Sequence, residues 1–204
     1  MNFRRGHEIL NIAKKISYNI LPNENDVFEA LDFFPPKDTK IIIIGQDPYP
    51  NKDDAMGLAF SIRHNKIPPS LKNIFKELQN DLGYGYPNTG DLTSWAAQGI
   101  LLLNSILTVE EGQSLSHVNI GWEGYTNELI QKVIDYNKPL VIICWGNYAK
   151  EKLKNLRIHD NILVLTGGHP SPLNRTGSFF GKKYFSKANK WLIEHNIKPI
   201  DWKL

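Results

Sequence analysis

Four runs of consecutive apolar residues punctuate the chain: IIII within residues 40–45, LLL within GILLLNSIL at 99–107, LVIICWG at 140–146 and ILVLTGG at 162–168. None alternates with polar residues, so each predicts a strand covered on both faces, and the β-branched Ile41 to Ile44 favour that conformation locally. Helical patterns lie around them. Ile9, Ile12, Ala13, Ile16 and Ile20 fall on one face until Pro22 stops the pattern. A short second helix is predicted from about Asp26, with Val27, Phe28, Leu31 and Phe34 inward and Pro35-Pro36 as its end. The segment IPPSLKNIFKELQNDLG predicts a helix with Ser70 as N-cap, a core stripe of Leu71, Ile74, Phe75, Leu78 and Leu82, and Gly83 as its stop. Further helical patterns run around Tyr125 to Tyr136, Tyr148 to Leu156, and Ser186 to Asn196.

Strands alternating with helices predict an α/β fold: a single domain over 1–204, with a central four-stranded parallel sheet flanked by helices on both faces. A chain of 204 residues with 41% hydrophobic content is long enough to bury one sizeable core. The topology carries a functional consequence. If the strands are parallel, Asp47, Asn104, Asn147 and His169 all emerge at the carboxyl edge of the sheet, where open α/β sheets bind ligands.

Each of these residues has two readings. Asp47, after Gly45 and before Pro48, is either a turn-forming or capping acid or a catalytic carboxylate. Asn104 either ends a strand by satisfying backbone groups or contacts a ligand, and Asn147 reads first as an N-cap. His169 is either a satisfied structural histidine or part of a site. Capping alone explains poorly why polar residues should close all four strands. Several familiar chemistries lack their motifs: there is no GxGxxG or GxxxxGK[ST] phosphate loop, no GxSxG elbow and no HExxH helix.

Charge and cysteine content narrow the setting. A net charge of +3 permits a polyanionic partner without requiring one. The single cysteine, Cys144, lies in an apolar run and reads as a buried thiol that can form neither an internal disulfide nor a thiolate metal site. No segment has the apolar length to cross a bilayer, and a cytoplasmic protein is expected.

The motifs GQDPYP with Phe60 downstream, IPPSLKNIF, GILLLNSILTV, WGNYAK and GGHPSPLNRTGSFFGKKYFSKAN resemble, in order and spacing, those of the family 1 uracil-DNA glycosylases. The likeness runs from about Lys40 to the C-terminus. It implies cleavage of the bond between uracil and deoxyribose in DNA, with no cofactor and no metal. By resemblance, Asp47 orients water and stabilises the cationic sugar, and His169 donates a hydrogen bond to uracil O2 as a neutral imidazole. Asn104 presents its amide to uracil O4 and N3–H, Phe60 stacks on the base, the backbone around Gln46 adds polar contacts, and Tyr49 excludes the thymine methyl.

The remaining motifs resemble a DNA grip. Pro68, Pro69 and Ser70 match a proline-rich loop, Gly146 and Asn147 stand where the family has a Gly-Ser loop, and Ser171 lies in the HPSPL loop whose Leu173 would fill the space of an extruded nucleotide. The partner implied is uracil-containing DNA, with a proteinaceous glycosylase inhibitor as a second candidate, no membrane, and a monomeric protein. Three positions depart from the common pattern: Pro50 replaces a His, and Asn147 and Asn174 replace Ser. The region before Lys40 matches no motif. Two rival readings remain, a DNA-binding or processivity subunit on the same scaffold and a flavodoxin-like nucleotide-binding domain.

Overall fold

The isoleucine run lies at the centre of the fold: Ile41 to Ile44 are all at most 1% exposed, in a strand paired on both sides. The computed structural model describes residues 3–64, 66–136 and 138–204. In chain order its elements are α1 (Phe3–Ile16), β1 (Ile20–Leu21), β2 (Ile41–Gly45), α2 (Pro69–Leu82), α3 (Thr93–Ala96), β3 (Ile100–Asn104), β4 (Val109–Glu110), α4 (Trp122–Ile134), β5 (Leu140–Trp145), α5 (Asn147–Leu153), β6 (Ile162–Gly167) and α6 (Tyr184–Glu194). The main sheet has the order β3-β2-β5-β6, and all its pairings are parallel. Register places Gly45 opposite Asn104 and Trp145 opposite Gly167, so four strand ends finish level at one edge. Helices flank the sheet, as the alternation of patterns predicts, and β1 pairs antiparallel with β4 outside it.

The apolar residues form one contiguous cluster that includes β2, β3 and β5 and the inward faces of α1, α2, α4 and α6. Cys144 lies in that core, where burial pushes its thiol pKa up to about 12. No helix among the described residues is long and apolar enough to cross a membrane.

Several local expectations need correction. On α1 the buried face is Gly6, Ile9, Leu10 and Ala13, whereas Ile12 is 43% and Ile16 56% exposed. The close approach of Phe28 and Tyr125 to Gly6 selects that face, a contact that apolar spacing alone does not register. Ile20 belongs to β1 rather than to the helix. Residues 24–38 form three short 3-10 turns, Glu24–Asp26, Glu29–Leu31 and Pro36–Asp38, in place of a second α-helix; Val27 and Leu31 still turn inward. Ser70 is not an N-cap, because α2 begins at Pro69, whose missing N–H costs nothing in the first turn. Asn147 is the first residue of α5, and the cap position belongs to Gly146 at φ 88°.

Two acids on α2 hold the start of α6. Asp81 accepts two first-turn donors of that helix, the N–H groups of Phe185 at 2.9 Å and Ser186 at 2.8 Å. Buried Glu77 accepts the N–H groups of Gly181 at 2.7 Å and Lys183 at 2.9 Å. Carboxylates there satisfy orphan donors and complement the helix dipole. Helix α2 also reaches the loop after β6 through the Asn73 amide, which donates to the Pro170 carbonyl at 2.6 Å.

The corrected face of α1 is testable. Leu10→Ala should destabilise the protein by about 2–5 kcal/mol through a core cavity. Ile12→Ala should cost about 0.5 kcal/mol or less, as expected for a surface position. Chemical denaturation of both variants checks this, and equal losses would restore the Ile12 stripe.

Candidate active site

The site begins with a contact that permits only glycine. A Cβ at Gly45 would lie 2.0 Å from Asn104 Oδ1 and 2.9 Å from Ala59 Cβ, so the bare backbone of β2 is what makes room for the amide at the end of β3. Pairing continues past the strands, with the Ser105 N–H donating to the Gly45 carbonyl at 3.0 Å and the Ile106 N–H to the Gln46 carbonyl at 2.9 Å. Asn104 is thereby fixed while only 7% exposed, and among the described residues its amide has no hydrogen-bond partner. Such a buried group is set up for a ligand.

Asp47 follows on the next turn of chain. Its Oδ2 accepts the Leu115 N–H at 2.8 Å, and its own N–H also stabilises the anion. Burial is the larger effect and raises its pKa above the ordinary carboxylate value; the two backbone donors act against the shift.

Phe60 occupies a left-handed backbone conformation, φ 66°, unusual for an aromatic residue. The Tyr49 hydroxyl donates to its carbonyl at 3.1 Å, which ties the two residues together. The Phe60 ring meets Trp145 edge-on at 5.4 Å between centroids and lies 6.4 Å from the His169 ring. Tyr49 itself is driven upward in pKa by burial and by the nearby Asp54 charge, so its hydroxyl stays protonated.

His169 is oriented from both sides. Its Nδ1 accepts the Ser171 N–H at 3.0 Å, and a backbone N–H can only donate, so in the neutral ring the proton belongs to Nε2. Burial lowers its pKa and favours that neutral ring. Gly146 packs so closely that a Cβ would lie 3.0 Å from His169 Cβ. The Asn174 amide donates to the His169 carbonyl at 3.0 Å, and the Ser171 hydroxyl accepts the Leu173 N–H at 3.2 Å. This internal bonding leaves Leu173 89% exposed on a braced loop.

These residues meet around a pocket of about 140 Å³ lined by Gln46, Asp47, Tyr49, Phe60, Asn104 and His169. Ser70, expected on the DNA-gripping surface, also reaches this lining. Pro68, Pro69, Gly146, Asn147, Ser171 and Leu173 do not line it; Pro68 and Pro69 instead border a neighbouring groove with Lys52, Lys66 and Lys72. Sequence reasoning missed Met56 and Ser114 in the lining and the Leu115 N–H on Asp47, the last because a backbone donor leaves no mark in residue type. No group of three or more potential metal ligands occurs among the described residues.

The fold and pocket define a class: an open α/β protein with a small polar cleft at the carboxyl edge of its parallel sheet, as this architecture favours. Comparison with known proteins goes further. The model of the uracil DNA glycosylase superfamily matches residues 31–193. A uracil-DNA glycosylase of Campylobacter jejuni is 51% identical over 192 residues, covering 93% of this chain and 82% of its own. One from Neisseria gonorrhoeae is 48% identical over 202 residues, covering 97% and 92%. Among solved structures, a variant of mimivirus UNG in complex with UGI superposes with a TM-score of 0.85 at 30% identity, covering 91% of this chain and 77% of the other. The chain belongs to the uracil-DNA glycosylase superfamily.

The direction of the Asp47 shift makes a stability prediction. A folded-state pKa above the unfolded one means that the native protein loses stability as pH rises from the ordinary Asp value through the raised one. Asp47→Asn, which keeps an oxygen for Leu115, should therefore melt higher than the parent at neutral pH. The gain should vanish in acid below the ordinary Asp value. Calorimetry across that range checks the sign, and a variant less stable at neutral pH would contradict it.

Proposed function

We propose that this protein excises uracil from DNA by hydrolysing the bond between base and deoxyribose, releasing free uracil and leaving an abasic site. The observation that carries the reading is the convergence of Asp47, Asn104, Phe60 and His169 on one pocket at the sheet edge. A base inside a duplex cannot enter such a pocket, so the nucleotide must first rotate out of the stack, at a cost of a few kcal/mol. In this reading Phe60 offers the face on which the base stacks. Asn104, unpartnered among the described residues, gives its amide to uracil O4 and N3–H, a pattern that cytosine reverses. Tyr49 stands where a thymine methyl would lie.

Bond breaking develops positive charge on the sugar and negative charge on the base. The Asp47 carboxylate suits the first, as an electrostatic partner and as the group that orients water. His169 suits the second: its neutral ring has Nε2–H as its donor, directed here to uracil O2. Neither task requires a metal. Pro50 lines the pocket where many family members have His, so the chemistry here rests on Asp47 and His169.

The grip on DNA is assigned to Pro68, Pro69, Ser70, Gly146, Asn147 and Ser171. The prolines have no N–H, and the Gly146 and Ser171 N–H groups are engaged by the Gly167 carbonyl and His169 Nδ1, so the phosphate donors in this reading are the first-turn N–H groups of Ser70 and Asn147 and the Ser171 hydroxyl. Leu173 is assigned as the wedge, a role supported by its exposure on a braced loop. Asn174 is less suited to a phosphate contact, since its amide is engaged by the His169 carbonyl. The proposal extends to residues 1–204 acting as one monomeric domain in the cytoplasm. The mimivirus complex supports an inhibitor protein as a second partner besides DNA.

Incubation with a uracil-containing oligonucleotide in chelator, followed by alkali, should give strand cleavage and free uracil. No cleavage at any protein concentration would favour a non-catalytic DNA-binding subunit. His169→Ala should lower turnover by roughly 100- to 1,000-fold, as for loss of one transition-state donor. Asp47→Asn should remove most turnover with DNA affinity nearly intact. A matching loss of affinity would argue against its role.

Leu173→Ala separates wedge from core. It should slow cleavage in duplex DNA far more than in a single strand, and the melting temperature should barely move. Rates on both substrates and a melting curve test this; equal slowing with a large fall in melting temperature would assign Leu173 to packing.

A further inference from the structure

The N–H that holds Asp47 belongs to a residue in an unfavourable conformation. Leu115 has φ 62°, left-handed for a residue with a Cβ, and its side chain is 38% exposed, so its own packing does little to fix it. Such backbone persists where the surroundings over-determine it. The segment around it, residues 111–121 between β4 and α4, is tied by its backbone, with the Glu111 N–H donating to the Asn19 carbonyl at 2.8 Å and the Gly112 N–H to the Pro50 carbonyl at 2.7 Å, and by three contacts through side chains. The Ser116 hydroxyl accepts the Glu110 N–H at 2.7 Å, and Glu123 Oε1 accepts the Asn119 N–H at 2.9 Å. Between them His117 is fully buried, its Nε2 2.7 Å from the Ser17 hydroxyl and its Nδ1 2.8 Å from the Thr108 hydroxyl.

Both side-chain partners of the imidazole are hydroxyls, which donate or accept, so they satisfy a neutral His117 in either tautomer, and the Thr108 backbone adds a further polar contact. The Thr108 oxygen also accepts the Trp122 indole N–H at 2.7 Å, which anchors that hydroxyl to α4. Ser17 follows the last residue of α1. The imidazole therefore joins the residue after α1, the residue before β4 and, through Trp122, α4 at one buried point two residues from Leu115.

We infer that His117 is a positioning residue for Asp47: by bridging Ser17 and Thr108 it fixes the loop in which the Leu115 N–H is aimed at the carboxylate. The inference rests on the proposed glycosylase reading for its effect on rate, but not for its effect on Asp47 itself. It also gives the N-terminal segment, of which the family model matches only the part from residue 31 on, a connection to the site.

The test compares His117→Phe with the parent in two ways. First, the Asp47 carboxyl is titrated by carbon NMR. The Leu115 N–H lowers the Asp47 pKa, so its displacement should move the titration to higher pH. Glu110 faces the imidazole and Tyr148 faces Asp47, and both are unchanged in the variant. Second, single-turnover uracil release should fall by about 10- to 100-fold, the scale of a misplaced catalytic group. In an Asp47→Asn background the same change should cost less than about twofold, since the group being positioned is already lost. An unmoved Asp47 titration, or equal losses in both backgrounds, overturns the inference. If His117→Phe does not fold, Ser17→Ala, which removes one hydroxyl near the surface, is read by the same two measurements with the same criteria. Absence of uracil release from the parent would instead reject the glycosylase reading and leave the titration to decide the positioning.

Discussion

The register between β2 and β3 is the constraint on which the site depends. Gly45 opposite Asn104 is both the last rung of the parallel ladder and the point where backbone yields space to a side chain. A slip of one residue would reverse the faces of β3 and replace Asn104 at the pocket by Leu103 or Ser105. That register is secured by burial: Ile41 to Ile44 and Ile100 to Leu103 are almost wholly excluded from water, so every alternative pairing moves apolar side chains off partners they already fill. The chemistry is therefore placed by the apolar core, several residues before any polar group appears.

A second layer of control acts on the other half of the pocket. His169 lies after β6, an edge strand whose middle residues are only partly buried, and the sheet alone holds it less firmly than Asn104. Helix α2 compensates. Asn73 bonds the Pro170 carbonyl, while Glu77 and Asp81 bind the backbone from Gly181 to Ser186. One helix thus fastens both ends of the segment that carries His169, Ser171 and Leu173. Its first turn contributes Ser70 to the pocket.

The central sheet was legible because its strands are continuous apolar runs, and a parallel arrangement then brings Asp47, Asn104 and His169 to one edge whatever their separation in sequence. What failed was local and small. The face of α1 turns on Gly6 meeting Phe28 and Tyr125, and the 24–38 segment coils into 3-10 turns although Val27 and Leu31 keep their inward spacing. The caps at Ser70 and Asn147 were misplaced by one residue or two, since a proline and a positive-φ glycine start those helices without side-chain help. Within the site, Asp47, Tyr49, Phe60, Asn104 and His169 could be read as side chains, Met56 and Ser114 could not, and the backbone could not. The Leu115 N–H, the left-handed Phe60 and the Ser171 N–H that sets the His169 tautomer belong to conformation rather than composition.

The electrostatics of the pocket follow from that reliance on backbone. Burial disfavours charge on Asp47 and His169 alike, raising the first and lowering the second. Had a lysine or arginine stabilised the Asp47 anion, its field would be largely cancelled before any substrate arrived. Among the described residues no cation pairs with it; neutral N–H dipoles from Leu115 and Asp47 itself do the holding. Dipoles stabilise an anion at short range and leave its net charge intact, so the carboxylate remains free to attract positive charge that develops beside it. The same logic applies in mirror image to His169, whose neutral ring keeps Nε2–H as a donor without carrying a charge that would have to be desolvated first; in the proposed mechanism that donor meets the nascent anion. In the proposed mechanism, an unpaired anion and a neutral donor around one small pocket favour separation of charge along the bond between base and sugar.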